Sequence, residues 1–416
     1  MINSIMGGEF YSFTCFVMPI TQTTESVRQK CQTLCYTVEG LSSFSTVIYT
    51  GYIYFYLHSR FGFSDKANLA AAAVIGLFYA LSAWQAGRFA QKHGLFTSVK
   101  IGFGGMFASL VIGSLLHSAA GAILMAVAFS IFMCFTWPAL EALVTECEAP
   151  GRIPHAVGIY NITWAVANAS AFFIGGTIIK LFGYNGIFLV PLAFLVLEFA
   201  LVLKAEKLFQ TLPAGLGHHA PPETIPNANR PTAKRAKSFL HMAWLSNPFA
   251  YIAINTLIAV LPGLAEKFHL STMQAGFACS LWGFARLAVF IVLWKWTGWH
   301  YRFRWLAGAF GLLILSFATI LLAPAILFML AAQVFFGAAI GLIYYSSLFY
   351  SMDATDTKSE QGGIHEAVIG VGNCLGPAVG AASLQFASGH VNSGAIAVSG
   401  LLLAGFGGLF QIWKRN

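Results

Sequence analysis

Residues 305–350 read WLAGAFGLLILSFATILLAPAILFMLAAQVFFGAAIGLIYYSSLFY, with no charged side chain among them. As one helix rising 1.5 Å per residue, the stretch would reach ~69 Å, about twice the ~30 Å hydrocarbon core of a bilayer. Pro324, within Leu322-Ala323-Pro324-Ala325, supplies the break, because it has no N–H and disfavours helix in the residue before it. The stretch predicts two membrane-crossing helices, 305–322 and 325–349, joined by a tight hairpin. A β-barrel would need segments of ~10 residues alternating in polarity. Runs such as Ala70–Leu81 and Val190–Leu203 are continuously apolar instead.

The same reading outward predicts ten more spans, near 36–57, 67–86, 98–116, 121–144, 155–180, 184–203, 243–263, 271–294, 363–388 and 393–412. The expected fold class is therefore an all-α polytopic membrane protein, with twelve transmembrane helices as two six-helix pseudo-symmetric bundles. Composition agrees. Of 416 residues 57% are apolar and 9% charged, and the mean hydropathy is +0.72. Soluble chains carry about 25% charged residues, so soluble, disordered and collagen-like classes are excluded. A net charge of +8 over this length is too dilute for a nucleic-acid surface, and no nucleic-acid partner is expected.

Lys and Arg set the orientation. With a cytoplasmic N-terminus, the outer segments hold only Arg60, Lys66, Lys180 and Lys267, and Arg286 is left within a span. Both termini are then expected in the cytoplasm, in a cytoplasmic (inner) membrane protein. Residues 1–32 read as a leader or cytoplasmic segment, because Glu9 interrupts the apolar start and no basic n-region precedes it. The seven cysteines fall in spans or cytoplasmic segments, so no disulfide framework is implied.

Residues 205–241 are the one long polar interval, with Pro213, Pro221, Pro222, Pro226, Pro231, the pair His218-His219 and the basic Lys234-Arg235-x-Lys237. They read as a flexible cytoplasmic linker held near anionic headgroups. It separates bundles at 33–204 and 242–416. The bundles echo each other: Phe61-Gly-Phe-Ser64 matches Phe268-His-Leu-Ser271, and His155-Ala-Val-Gly158 resembles His365-Glu-Ala-Val-Ile-Gly370. Asn161 and Asn373 follow in comparable places.

In this layout the chain resembles the major facilitator superfamily from about residue 33 onward. The family's loop between spans two and three, G-x-L-a-D-r-x-G, is matched in part by Gly87-Arg88-Phe-Ala-Gln91-Lys92-His-Gly94. Its aspartate is Gln91 here, and Leu95 and Phe96 stand where basic residues are usual. The resemblance implies that Gly87, Arg88, Gln91, Lys92 and Gly94 help to latch the bundles together. Gln333-x-x-x-Gly337-x-x-x-Gly341 looks like the family's small-residue pattern in span ten. The arginine common in span four of proton-driven members is missing, and Gly376-Pro377-Ala-Val-Gly380 lies in span eleven rather than span five.

A charge inside hydrocarbon costs at least ~2.5–3.5 kcal/mol on insertion scales, so each intramembrane charge is a functional candidate. Glu39 leads. Ser42, Ser43, Thr46, Tyr49 and Thr50 follow at helical spacing, giving span one a polar face suited to an aqueous cavity. Glu39 there could carry a coupling proton, or be hydrated at the interface. In span five Tyr160, Asn161, Trp164 and Asn168 share a face suited to stacking on and hydrogen-bonding a polar organic solute, or to bonding between helices. Span eight offers Trp282 and Arg286 one turn apart; Arg286 could pair with Glu39 or bind an anionic group. Asn373 shares a face with Gly370 and Pro377. Glu141, His365 and Glu366 are expected as gating or interdomain groups. Glu198 has only apolar helical neighbours and is expected to reach headgroups near Lys204, while His155 is expected to pack at a span end.

The Asn161 and Asn168 sequons fall within a span, and no Walker A, HExxH or G-x-S-x-G sequence is present. No catalytic residue, cofactor or metal is expected. The leading expectation is a monomeric secondary active transporter, in a lipid bilayer, moving a small polar organic solute by alternating access, with protons as the coupling ion suggested by Glu39. Two other classes stay open: a polytopic membrane enzyme or lipid-handling protein, and a transporter-like solute sensor.

Overall fold

A computed structural model describes residues 22–146, 153–212, 232–354, 358–387, 389–390 and 392–415. Their regular structure is helical. The first eight helices are α1 (Gln22–Thr50), α2 (Ile53–Phe61), α3 (Asp65–His93), α4 (Leu95–Leu115), α5 (Ala119–Met133), α6 (Trp137–Glu146), α7 (Ile153–Phe182) and α8 (Gly186–Phe209). There follow α9 (Ala233–Ala259), α10 (Leu261–Lys267), α11 (Thr272–Lys295), α12 (Phe303–Leu322), α13 (Ile326–Ala354), α14 (Lys358–Phe386) and α15 (Ser393–Lys414).

The break expected at Pro324 falls between α12 and α13. Among the described residues nine segments are long and apolar enough to cross a membrane, or ten if α9 and α10, bent by 54°, form one. Each of the twelve expected segments coincides with a helix or with a pair meeting at a break. Two of the breaks coincide with a proline. Pro262 enters at the start of α10 and Pro138 at the start of α6, where a missing N–H is harmless. Large apolar side chains such as Leu115, Leu181 and Leu327 face outward, as lipid-facing positions require.

Two helix pairs join the first eight helices to the rest most extensively, α3 with α14 and α7 with α11. Both need small residues, since backbones can then touch and dispersion accumulates. A Cβ on Gly76 of α3 would lie 2.4 Å from the Asn373 backbone carbon of α14, and one on Gly176 of α7 would lie 2.6 Å from the Thr272 backbone oxygen. Further ties cluster at the end of the molecule that carries the α2–α3 turn, hereafter the Gly62 face. There His58 meets Glu266 at 2.9 Å, and Lys66 Nζ donates to Gln385 Oε1 at 3.0 Å. At the opposite, Gly94 face, Gly94 holds the α3–α4 turn at φ +95°, a conformation glycine adopts freely.

α8 runs on to Phe209 and α9 begins at Ala233, so helix enters both ends of the interval expected as linker. Residues 213–231, with His218 and His219, lie outside the described residues, as do residues 1–21 of the expected leader.

Candidate functional site

α1 brings the first acidic group. Glu39 is 1% exposed; Ser43, one turn on, donates to its Oε1 at 2.8 Å, and Tyr160 of α7 directs its hydroxyl at the same carboxylate. Oε2 of Glu39 has no hydrogen-bond partner. α1 is held against α7 nearby, where the Tyr36 hydroxyl donates to the Ala156 carbonyl at 3.2 Å. Glu141 of α6 and Glu366 of α14 lie within electrostatic reach of Glu39 and of each other. Glu366 is buried and accepts a hydrogen bond from the Tyr79 hydroxyl of α3. Three carboxylates from three helices therefore converge.

The cationic group stands apart from them. Arg286 of α11 is 4% exposed, and its guanidinium lies 4.5 Å from the Trp164 ring centroid and 5.0 Å from that of Trp282. Such cation–π contacts are worth ~2 kcal/mol or more when desolvated. They do not neutralise a charge. No ion pair forms at Arg286 among the described residues, and its Nε has no hydrogen-bond partner. Of the two expectations for Arg286, the pair with Glu39 is thus not formed: the guanidinium lies against Trp282 one turn away on α11 and, through the register of α7 against α11, against Trp164.

Two phenols feel both the arginine and the carboxylates. Tyr251 of α9 and Tyr344 of α13 are each within electrostatic reach of both Arg286 and Glu366. The Trp164 ring lies 5.2 Å from Tyr344, and its indole N–H donates to Asn161 Oδ1 at 2.8 Å. Trp282 packs on Phe172 and Phe336 with its own N–H unpaired. Asn255 of α9 donates to Asn373 Oδ1 at 2.5 Å, fastening α9 to α14.

The structure brings together Glu39, Ser43, Tyr160, Asn161, Trp164, Trp282, Arg286, Glu141 and Glu366. Other expectations need correction. Tyr49 does not share the Glu39 face; its ring packs 4.7 Å from Phe129 and 5.6 Å from Phe188, among apolar helices. Glu198 does not reach headgroups near Lys204. It is fully buried, and Ser45 of α1 donates to its Oε1 at 2.9 Å, because a carboxylate without water must find a donor. Thr46 is buried with an unpartnered hydroxyl, and Asn168, one turn beyond Trp164, has a free Oδ1. His155 is exposed at the end of α7, its ring 5.3 Å from Trp294. The His365 side chain lies outside the described residues. Gly87, Arg88, Gln91, Lys92 and Gly94 sit at the α3–α4 junction, where Arg88 lies over Trp84 at 5.1 Å. Tyr79, Tyr251, Tyr344 and Asn255 were not legible as site residues: each stands in an apolar run, and only packing shows where its polar atom goes.

The profile of the Major Facilitator Superfamily matches residues 33–381. The chain belongs to the Major Facilitator Superfamily. This superfamily member is accordingly a membrane transporter rather than an enzyme by family and fold. Solved structures agree in fold. A bacterial homologue of the human lysosomal transporter Spinster, inward-facing and unoccupied, is 16% identical with a TM-score of 0.61, covering 93% of each chain. The human organic anion transporter MFSD10 is 14% identical with a TM-score of 0.66, covering 92% of this chain and 99% of its own. A structure of proton-dependent oligopeptide transporters is 14% identical with a TM-score of 0.68, covering 93% of this chain and 98% of its own. No curated protein sequence matches the chain.

Proposed function

We propose that the chain is a secondary active transporter that moves a small polar organic solute by alternating access and couples it to protons. One observation carries the reading: Glu39, Glu141 and Glu366 converge between membrane helices, with Arg286 kept apart from them. Groups so costly in hydrocarbon persist where they bind solute or relay protons. The small-residue contacts of α3 with α14 and of α7 with α11 are surfaces on which the bundles 33–204 and 242–416 can rock. The ties between His58 and Glu266 and between Lys66 and Gln385 fit a state shut at the Gly62 face. Basic residues concentrate on the other side, so the Gly94 face is assigned to the cytoplasm of an inner-membrane monomer, with both termini there.

The test is solute-dependent acidification inside proteoliposomes under an imposed pH gradient, followed with a trapped pH-sensitive dye. Wild-type protein should carry protons inward with its solute. Glu39→Gln should lose the response to the gradient. Proton movement unchanged in Glu39→Gln would overturn the coupling assignment.

A further inference from the structure

Resting on the transporter reading above, we propose that the solute is a small zwitterion, an amino acid or short peptide whose carboxylate binds Arg286 and whose ammonium binds the Glu39–Glu141–Glu366 group. The site has two poles that do not neutralise each other. Three acidic side chains reach it from α1, α6 and α14, and one cation from α11. α9 and α13 supply neutral groups, Asn255 and the phenols Tyr251 and Tyr344, and α7 supplies Tyr160, Asn161 and Trp164.

Proton relay alone explains the carboxylates but not the arginine. A guanidinium cannot shed its proton at physiological pH, so burial leaves its charge needing an anion. Among the described residues none is bonded to it. A sugar would leave both poles without counter-charges. A simple anion, with protons neutralising the carboxylates, would still leave Glu39 Oε2 without a hydrogen-bond partner, and a simple amine would leave Arg286 as it is. A zwitterion meets both.

Unmade hydrogen bonds point the same way. Glu39 Oε2, Arg286 Nε, Asn161 Nδ2 and Trp282 Nε1 are buried without partners, and their residues are all at least nine-tenths buried. Native proteins rarely leave such groups unpaired, so a bound polar molecule is the natural partner. Arg286 suits a carboxylate because its planar fork donates two parallel N–H bonds. The Trp164 ring, bonded to Asn161 and lying against the guanidinium and Tyr344, makes a rigid wall for the solute between the poles.

The experiment measures thermal unfolding of the purified full chain in detergent with the common amino acids and alanylalanine. Each zwitterion that stabilises is then compared with its N-acetyl derivative, its methyl ester and, as a neutral control, glucose. At least one zwitterion should stabilise, and losing either charge should raise the concentration needed by about tenfold or more, the effect of one lost charge-assisted pair. In Arg286→Gln the ester should bind as well as the parent, and Arg286→Lys should restore part of the difference. The wild-type series needs no variant to fold. If no zwitterion stabilises, or a singly charged derivative or glucose stabilises at lower concentration, the proposal falls. Uptake into proteoliposomes separates this from the broader reading. A sugar driven by the pH gradient would sink the zwitterion and keep the transporter; zwitterion binding without uptake would do the reverse.

Discussion

The Tyr79 hydroxyl of α3 donates to the Glu366 carboxylate of α14, so one hydrogen bond spans the pair of helices that most extensively joins the two ends of the chain. The bond lies beside the backbone contacts of Gly76 with Asn373 and of Gly370 with Ala80. A donor removed from a buried carboxylate costs about 1–3 kcal/mol. Tyr79→Phe should therefore lower the unfolding temperature modestly and cut solute-driven proton uptake by about tenfold, as loss of a ~1.4 kcal/mol interaction would. Uptake assays at matched protein levels check it; Tyr79→Phe with wild-type uptake would make the bond incidental.

The His58–Glu266 contact ties α2 to α10 at the Gly62 face, and it titrates. Burial pulls the His58 imidazolium down, but the Phe63 carbonyl and the Glu266 carboxylate outweigh it, leaving His58 above the usual histidine range. Asp65 of α3 also acts on it, and Arg60 stands two residues along α2. The sign follows: a histidine raised in the closed state holds that state most firmly below its free pKa of about 6.5, and the benefit fades as pH rises through the raised value. Glu266 is 69% exposed at its side chain, so solvent screening keeps the gain below ~1 kcal/mol. Spin labels across the Gly62 face should show more opening at pH 8 than at pH 6. The difference should vanish in His58→Gln.

Gly76 offers a packing test with an internal control. A Cβ there would lie 2.4 Å from the Asn373 backbone, which no side-chain rotation can relieve, whereas a Cβ on Gly104 meets nothing within 4 Å. Gly76→Ala should destabilise by about 1–3 kcal/mol through overpacking and impair transport by prising α3 from α14. Gly104→Ala should be neutral or gain up to ~1 kcal/mol from helix propensity. Equal unfolding temperatures for the two variants would show that α3 and α14 do not meet so closely.

How much of this was legible in the sequence depended on the range of each interaction. The helices were, because a run such as 305–350 fixes span length and break from local chemistry alone. The common face of Glu39 and Ser43 was too, since they stand one turn apart on one helix, and there they bond. Tyr344 gave no local sign, because a phenol in an apolar run reads alike whether it faces lipid, packing or solute. Arg286 was visible as a misplaced charge, but its partner was not: the choice of Trp164 over Glu39 belongs to the register between α7 and α11. Tyr49 kept the helical spacing of the polar face, yet its ring went with the apolar helices because its aromatic area outweighs one hydroxyl.

Glu198 is the charge whose role spacing could least define, with its one bonded partner, Ser45, lying 153 residues away in sequence. Its second oxygen is buried without a partner, and Glu39 lies within electrostatic reach. The contact fastens α8 to α1. If fastening is its work, Glu198→Gln should keep the Ser45 bond and leave proton-coupled uptake near wild type, in contrast to Glu39→Gln. Ser45→Ala strands a buried carboxylate and should destabilise by about 1–3 kcal/mol. In the double variant Ser45→Ala with Glu198→Leu most of that loss should return, since removing both partners leaves no polar group to desolvate. A double variant no more stable than Ser45→Ala alone would place the cost in packing, and coupling lost in Glu198→Gln would enlist Glu198 in the proton path.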